Sequence, residues 1–137
     1  MKAILIDPHK KVISEVSYNG DWRQISHHIK CDTFTVVSLP DNNDIYIDDF
    51  GLFAEKQAYF RHIDYPEPLA GYGLILGHDP ATGDSKEPTL TALEVSKSVQ
   101  FFDPEHALLT AGHVSQEDLL NPDAVAWVKP RVVRITI

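Results

Sequence analysis

The sequence predicts an α+β fold with a largely antiparallel or mixed sheet and few short helices. Three observations lead to this class. Short runs rich in β-branched residues dominate the first 80 positions, and Pro, Gly, Asn and Asp separate these runs at short intervals. Only a few segments space their apolar residues as a helix does. A chain of 137 residues fits one domain, residues 1–137, in which a few helices pack on a sheet.

The chain opens with a predicted β-hairpin. The runs 2–7 (KAILID) and 11–18 (KVISEVSY) are rich in Ile and Val, and the turn residues PHKK separate them. Side chains alternate between the two faces of a strand, so we expect one face of the second run to point to the core. That face carries Val12, Ser14, Val16 and Tyr18.

A short helix is predicted next, over residues 21–30. Asn19 or Asp21 can cap its N-terminus by accepting hydrogen bonds from backbone N–H groups. The apolar residues of the segment recur at i, i+3 and i+7, which is the spacing of one helix face. This apolar stripe consists of Trp22, Ile25 and Ile29.

Further strands are predicted at 33–39, 44–49, 58–63 and around 74–76, and residues 79–88 have the composition of a loop. The segment 89–103 mixes strand-forming and helix-forming residues. Its β-branched and aromatic residues favour a strand with a bend near 96–98.

The last part of the chain predicts two helical turns and a final strand. Asp103 and Pro104 open a helix that Gly112 can end. Ser115 caps a second turn, and residues 131–137 form the strand.

Composition argues against several functional classes. The hydrophobic content of 43% is typical of a folded domain, and no apolar run approaches the roughly 20 residues of a membrane span. The net charge of −8, from 20 acidic and 12 basic residues, repels nucleic-acid phosphates and anionic lipid. The expected partners therefore include neither nucleic acid nor membrane. An acidic protein that imitates DNA toward a basic partner is an alternative.

Cys31 is the only cysteine of the chain. It cannot form an internal disulfide, which indicates a reducing compartment, and a zinc site built on several cysteines is excluded. The start MKAILIDPHKK is too short and too polar for a secretory signal. We therefore expect a cytoplasmic protein.

The stretch PDNNDIYIDDFG, at 40–51, contains four aspartates and raises the question of a metal site. A calcium-binding loop that starts at Asp41 would need glycine at its sixth position, where this chain has Tyr46. A hairpin turn followed by a half-buried strand accounts for every residue, with the isoleucines toward the core and the aspartates on a solvated face. A divalent-ion site on Asp44 and Asp48 is the alternative.

The seven histidines are dispersed, and no pair has the His-Glu-x-x-His spacing of a zinc-binding helix. Cys31 lies at the predicted C-terminus of the first helix, where the helix dipole disfavours a thiolate nucleophile. We therefore predict no catalytic residue, no cofactor and no metal ligand. The candidates for a metal or hydrolytic site, scattered along the chain, are Asp44, Asp48, His78 and His113.

Two tyrosines are candidates for a protein contact. Tyr65 and Tyr72 flank Pro66 and Pro68, and together they would form an apolar contact patch if they are exposed. The nearby glycines of GYGLILG precede a predicted strand rather than a helix, which argues against a phosphate-binding loop.

Three stretches of the chain resemble an uncharacterised domain family of small bacterial, phage and plasmid proteins. They are MKAILIDPHKKVISEVSYNGDW, CDTFTVVSLPDNNDIYIDDFGL and PLAGYGLILGHD. The resemblance covers about residues 1–100 and leaves 101–137 as a C-terminal extension expected to pack on that region. It implies an accessory-gene or mobile-element setting and no activity, cofactor or catalytic residue.

These observations lead to a functional expectation. The acidity, the lack of a coherent active-site motif and the resemblance favour a cytosolic accessory protein that binds a partner protein or itself, for instance through an exposed sheet edge. The alternative is a small hydrolase or a ligand- or metal-binding protein. That alternative requires Asp44, Asp48, His78 and His113 to converge in a pocket.

Overall fold

The computed structural model describes residues 1–49, 58–65, 67–103 and 126–134. Within them lie two α-helices, α1 (Trp22–Ile29) and α2 (Ala92–Ser98), and eleven strands. The strands are β1 (Lys2–Asp7), β2 (Val12–Ser17), β3 (Phe34–Leu39), β4 (Asn43–Asp48), β5 (Tyr59–His62), β6 (Leu69–Ala70), β7 (Gly73–His78), β8 (Ser85–Lys86), β9 (Val99–Asp103), β10 (Ala126–Val128) and β11 (Arg131–Arg134). No described helix is long and apolar enough to cross a membrane.

The described strands form two sheets. The larger has the order β11-β2-β1-β7-β4-β3, and β8 adds a short pairing to β7. All its pairings are antiparallel except that of β11 with β2, which is parallel. The smaller sheet, β10-β9-β5-β6, is antiparallel throughout. The prediction of an α+β fold with a largely antiparallel or mixed sheet is confirmed.

Both faces of the larger sheet are buried. Alternate side chains of one strand, such as Leu74 and Ile75 of β7, belong to two different hydrophobic clusters. On one face α1 contributes Ile25 and Ile29 to the cluster. On the other face lie α2 and the smaller sheet, with Phe60 among the fully buried residues. The sheet is thus the middle layer of the described structure.

The predicted first hairpin and first helix are confirmed, with two corrections. On β2 the predicted core face is buried, but Ile13 on the opposite face is fully buried as well, because that face is covered too. Asp21 caps α1 by accepting from the backbone N–H of Arg23. Trp22, predicted in the buried stripe, is 60% exposed, so only Ile25 and Ile29 of that stripe are buried.

The segment 89–103 is not one bent strand as predicted, because residues 92–98 form α2. The Thr91 side chain accepts from the N–H of Glu94, and the Glu94 carboxylate accepts from the N–H of Thr91. This reciprocal pair satisfies two N–H groups at the start of a helix. It outweighs the weak strand preference of the intervening residues, and the strand β9 begins only at Val99.

The turn between β3 and β4 confirms the hairpin interpretation of the aspartate-rich stretch. Asp41 and Asn42 have φ of 61° and 60°, a left-handed conformation that Asp and Asn tolerate better than most residues. Asn43 is fully buried; its side-chain oxygen accepts from the N–H of Thr89 at 3.0 Å, and its amide donates to the Thr89 hydroxyl at 2.7 Å. These bonds hold the β3–β4 turn against the segment before α2.

The C-terminal predictions are tested only in part. The helices predicted from 103 and from 115 lie outside the described residues. The final strand is present as β11, and its pairing with β2 attaches part of the extension to the N-terminal hairpin.

Candidate functional site

Strand β3 is an edge of the larger sheet. It pairs with β4 on one side, and among the described residues no strand pairs with its other side. The N–H of Asp49 donates to the carbonyl of Thr33, so this residue pair is of the hydrogen-bonded kind. Because antiparallel pairs alternate between the two kinds, the backbone groups of Phe34, Val36 and Ser38 point away from β4. The edge thus presents a row of N–H and C=O groups to an incoming chain.

The side chains of this edge fix the strand on one face. Val37 and Leu39 are buried in the hydrophobic cluster that contains Phe60, so this face of β3 is packed against the core. Thr35, Ser38 and Val36 are exposed, Val36 to 49%. On the α1 face, the ring of Phe34 packs edge-on against Tyr46, with 5.4 Å between centroids. The strand is therefore anchored on one face, and no described strand pairs with its outer side.

The charge around β3 is distinctive. The strand itself, FTVVSL, has no charged residue, although charges, especially lysine, commonly protect exposed edges. Exposed carboxylates stand at both ends, from Asp32 and Asp49 at one end and Asp41 at the other. The edge of β3 is therefore uncharged along its length and bordered by acidic side chains at both ends.

Asp44 and His78 are the two predicted candidates that the fold brings together. His78 Nδ1 lies 2.7 Å from Asp44 Oδ2, because β4 and β7 are neighbours and Asp44 is paired with Leu76, two residues before His78. Asp44 is buried rather than solvated as predicted, and the side chain of His78 is 32% exposed. The imidazole thus provides the hydrogen bond that a buried carboxylate requires.

The other candidates do not join this pair. Asp48 lies four residues further along β4, about 13 Å at the usual rise per residue. It lines a separate open cavity with Cys31 and the end of α1. His113 lies outside the described residues. In the part of the chain that the structure describes, no group of three or more His, Cys, Asp or Glu side chains could hold a metal ion.

Ser85 and two tyrosines border the Asp44–His78 pair. Ser85 lies opposite His78 on β8, and its side chain interacts with the phenols of Tyr18 and Tyr46. Burial raises the pKa of both phenols, and the Ser85 contact partly offsets that rise. The described lining of the open cavity beside Asp48 and Cys31 does not include Asp44 or His78. The geometry therefore favours a structural role for the pair.

Cys31 does not have the properties of a nucleophile. Burial raises the pKa of its thiol to about 11, and the neighbouring carboxylate of Asp48 adds to the rise. The thiol is protonated at neutral pH, whereas the reactive form of cysteine is the thiolate.

Tyr65 and Tyr72 do not form one patch. Both are half-buried; Tyr65 packs against the cluster that contains Phe60, and Tyr72 packs against the cluster on the α1 face. Lys30 lies over the ring of Tyr72, 5.0 Å from its centroid. The tyrosines therefore belong to opposite faces of the larger sheet, and a protein contact by either one alone stays a prediction.

His62 is a buried histidine that sequence reasoning did not single out. Its Nδ1 accepts from the N–H of Asp64 at 3.0 Å, which places the proton of the neutral ring on Nε2. Nε2 is buried and has no hydrogen-bond partner among the described residues. Burial lowers the pKa of His62, and the Asp64 carboxylate, 3.8 Å away, opposes this only in part.

We expect acidification to destabilise the protein through His62. A histidine whose pKa is lowered by folding binds its proton more readily in the unfolded chain. Its contribution to stability is therefore complete above the unfolded pKa of about 6.5 and declines as the pH falls below it. The slope cannot exceed about 1.4 kcal/mol per pH unit. Urea unfolding at about pH 7.5 and about pH 5.5 measures the change in the free energy of unfolding between these pH values. The His62→Leu variant should lose less stability over this range than the unmodified protein. An equal loss in both proteins would contradict the prediction.

Sequence reasoning missed the edge position of β3. The uncharged run FTVVSL between CDT and PDNN is visible in the sequence, and it is the signal that could have indicated the site. The order of strands in the sheet is not visible, because β7, far along the chain, inserts between β1 and β4 and leaves β3 at the edge.

Comparison with known proteins gives a family and no activity. No curated protein and no solved structure matches the chain. A family model described as a domain of unknown function (DUF3846) matches residues 1–97. These residues include β1 to β4, the edge and the Asp44–His78 pair, and they nearly coincide with the range of the resemblance noted in the sequence. The chain therefore belongs to the DUF3846 family, a domain of unknown function.

Proposed function

We propose that the protein binds an extended segment of a partner protein, which pairs as an added strand with the outer edge of β3. The observation that carries the proposal is the row of outward backbone groups at Phe34, Val36 and Ser38 on an uncharged strand. An added strand would bond to these groups, and its side chains would alternate between the two faces. The cytoplasmic location and the phage or plasmid accessory setting are parts of this proposal, supported by the single cysteine and the sequence resemblance.

The charges define the partner segment. Its middle is uncharged and extended, and its ends carry Lys or Arg to face Asp32, Asp41 and Asp49. A second copy of the chain fits less well, because antiparallel pairing of two β3 strands about a twofold axis would bring Asp32 of one copy toward Asp41 of the other. The net charge of −8 adds repulsion between copies. We therefore propose a basic segment of a different protein as the occupant.

Val36→Pro should abolish most of the binding without unfolding the protein. The N–H of Val36 points away from β4, so proline removes a donor to the incoming strand and none from the β3–β4 pairing. We expect Kd to rise at least about tenfold from the lost hydrogen bond and the obstructing ring. The probe is the labelled peptide Lys-Lys-Thr-Val-Thr-Val-Thr-Lys-Lys, and the measurement is fluorescence anisotropy.

Two controls make this experiment decisive. Val36→Thr keeps the N–H and a β-branched side chain, so it should bind like the unmodified protein, and circular dichroism verifies the fold of each variant. A peptide with Glu in place of every Lys should bind far more weakly. Equal binding of the two peptides, or full binding by Val36→Pro, would overturn the proposal. If light scattering shows a stable dimer that Val36→Pro abolishes, the occupant of the β3 edge is a second copy of the chain and not a segment of another protein.

The hydrolase or metal-site alternative receives less support. It needs the four scattered candidates to converge, and Asp44 and His78 meet without Asp48.

A further inference from the structure

A cavity of about 630 Å³ lies beside the smaller sheet, on the far side of the larger sheet from α1. The described residues that line it come from three parts of the chain: the end of β5, the end of α2 with the start of β9, and the segment between β10 and β11. Its volume is within the usual range of small-molecule sites. It is separate from the β3 edge, and its occupant is independent of the proposed partner segment.

The described lining of this cavity is basic, whereas the chain as a whole is acidic. Its described lining includes Arg61, Lys97 and Lys129 and contains no acidic residue, although acidic residues outnumber basic ones by 20 to 12 in the chain. Like charges gathered in a concave, partly desolvated wall raise the local potential and attract a counter-charge. Asp64 lies between the lining residues Ile63 and Tyr65, and its carboxylate is 3.8 Å from Nδ1 of the buried His62.

The arginine is held in a fixed position. Arg61 is half-buried, and its Nε donates to Gln100 Oε1 at 2.7 Å across the β5–β9 pairing. Both residues line the cavity. A guanidinium fixed in this way loses little conformational freedom on binding and recognises planar or tetrahedral anions well. Lys97 and Lys129 are exposed and can move toward a ligand.

The rest of the described wall is half polar and half apolar. Its apolar side chains include Tyr65, which is half-buried, and Ile63, which is 77% exposed. An inorganic ion would leave most of this surface and volume unused. We propose that the cavity binds a small organic phosphate, with the phosphate toward Arg61, Lys97 and Lys129 and a carbon body against Tyr65 and Ile63.

Isothermal titration with phenyl phosphate tests this assignment on the full chain. We expect measurable binding that weakens as salt is added, because the attraction is mainly ionic. Arg61→Gln should weaken it at least about tenfold, since a hydrogen bond to a charged group contributes about that factor. Lys97→Gln should weaken it less. Lys10→Gln, which removes an exposed lysine from the β1–β2 turn, should leave it unchanged.

Companion ligands separate the parts of the proposal. Inorganic phosphate should bind more weakly than phenyl phosphate, and neutral benzyl alcohol should not bind detectably. The assignment is overturned by an absence of binding at millimolar phenyl phosphate, by equal binding of inorganic and phenyl phosphate, or by equal losses in Lys97→Gln and Lys10→Gln. Lys97 is on the surface, so its variant still decides the matter should Arg61→Gln fail to fold.

Discussion

Phe60→Ala should lower the free energy of unfolding by about 3–5 kcal/mol, the usual loss for truncating a buried phenylalanine. Phe60 is fully buried and lies opposite Phe101 and Leu69 in the smaller sheet. A Cβ placed on Gly73 of β7 would lie only 2.9 Å from Phe60 Cζ. The ring therefore fills the space that a glycine leaves on the larger sheet, and its loss opens a cavity between the two sheets.

Urea denaturation of the variant measures this loss. Because the whole stability of such a domain is of the order of 5–15 kcal/mol, the variant should unfold at a much lower denaturant concentration. Ile63→Ala is the matched control: Ile63 follows the same strand but is 77% exposed, and we expect a change within about 0.5 kcal/mol. A loss below about 1 kcal/mol for Phe60→Ala would show that the two sheets do not pack through this ring.

His78→Ala should destabilise the protein by about 2–3 kcal/mol. Leaving a buried hydrogen-bond acceptor without its partner costs about 1–3 kcal/mol, and the upper part of this range applies because the acceptor is a carboxylate. The buried carboxylate of Asp44 would lose the only side-chain partner described for it, at 2.7 Å. Asp44→Asn should cost only about 1 kcal/mol, because the amide oxygen can still accept from the imidazole.

A double-mutant cycle isolates this pair. We expect the effects of Asp44→Ala and His78→Ala to be strongly non-additive, since the double variant leaves no buried charge without its partner. Additive effects, measured by urea unfolding near neutral pH, would contradict the assignment of the pair as a structural unit.

Local chemistry explains what could be predicted from the sequence. The first hairpin, α1 with its Asp21 cap and the Asp41–Asn42 turn all depend on neighbouring residues, and each was found where the sequence indicates it. The segment 92–98 was missed because a capping box of two residues outweighs a weak strand preference. Helix and strand propensities alone do not show whether the reciprocal hydrogen bonds of a capping box form.

The candidate sites depended on distant contacts and were harder to predict. Asp44 and His78 were among the candidates, but only the β4–β7 register shows that they meet and that Asp48 stays apart. The cavity around Arg61 joins residues from three separate segments, and none of those segments has a motif. The open edge of β3 results from strand order, which is a property of the whole sheet.

Backbone amide hydrogen exchange on β3 shows whether this edge is open in the free protein and closed by a bound strand. In the free protein the N–H groups of Phe34, Val36 and Ser38 should exchange rapidly, while those of Thr35, Val37 and Leu39, which bond to β4, should exchange slowly. Saturation with the Lys-flanked peptide should slow the first three and leave the others nearly unchanged. If the first three are already slow in the free protein, or stay fast when the peptide is bound, β3 is not the edge that receives a partner strand.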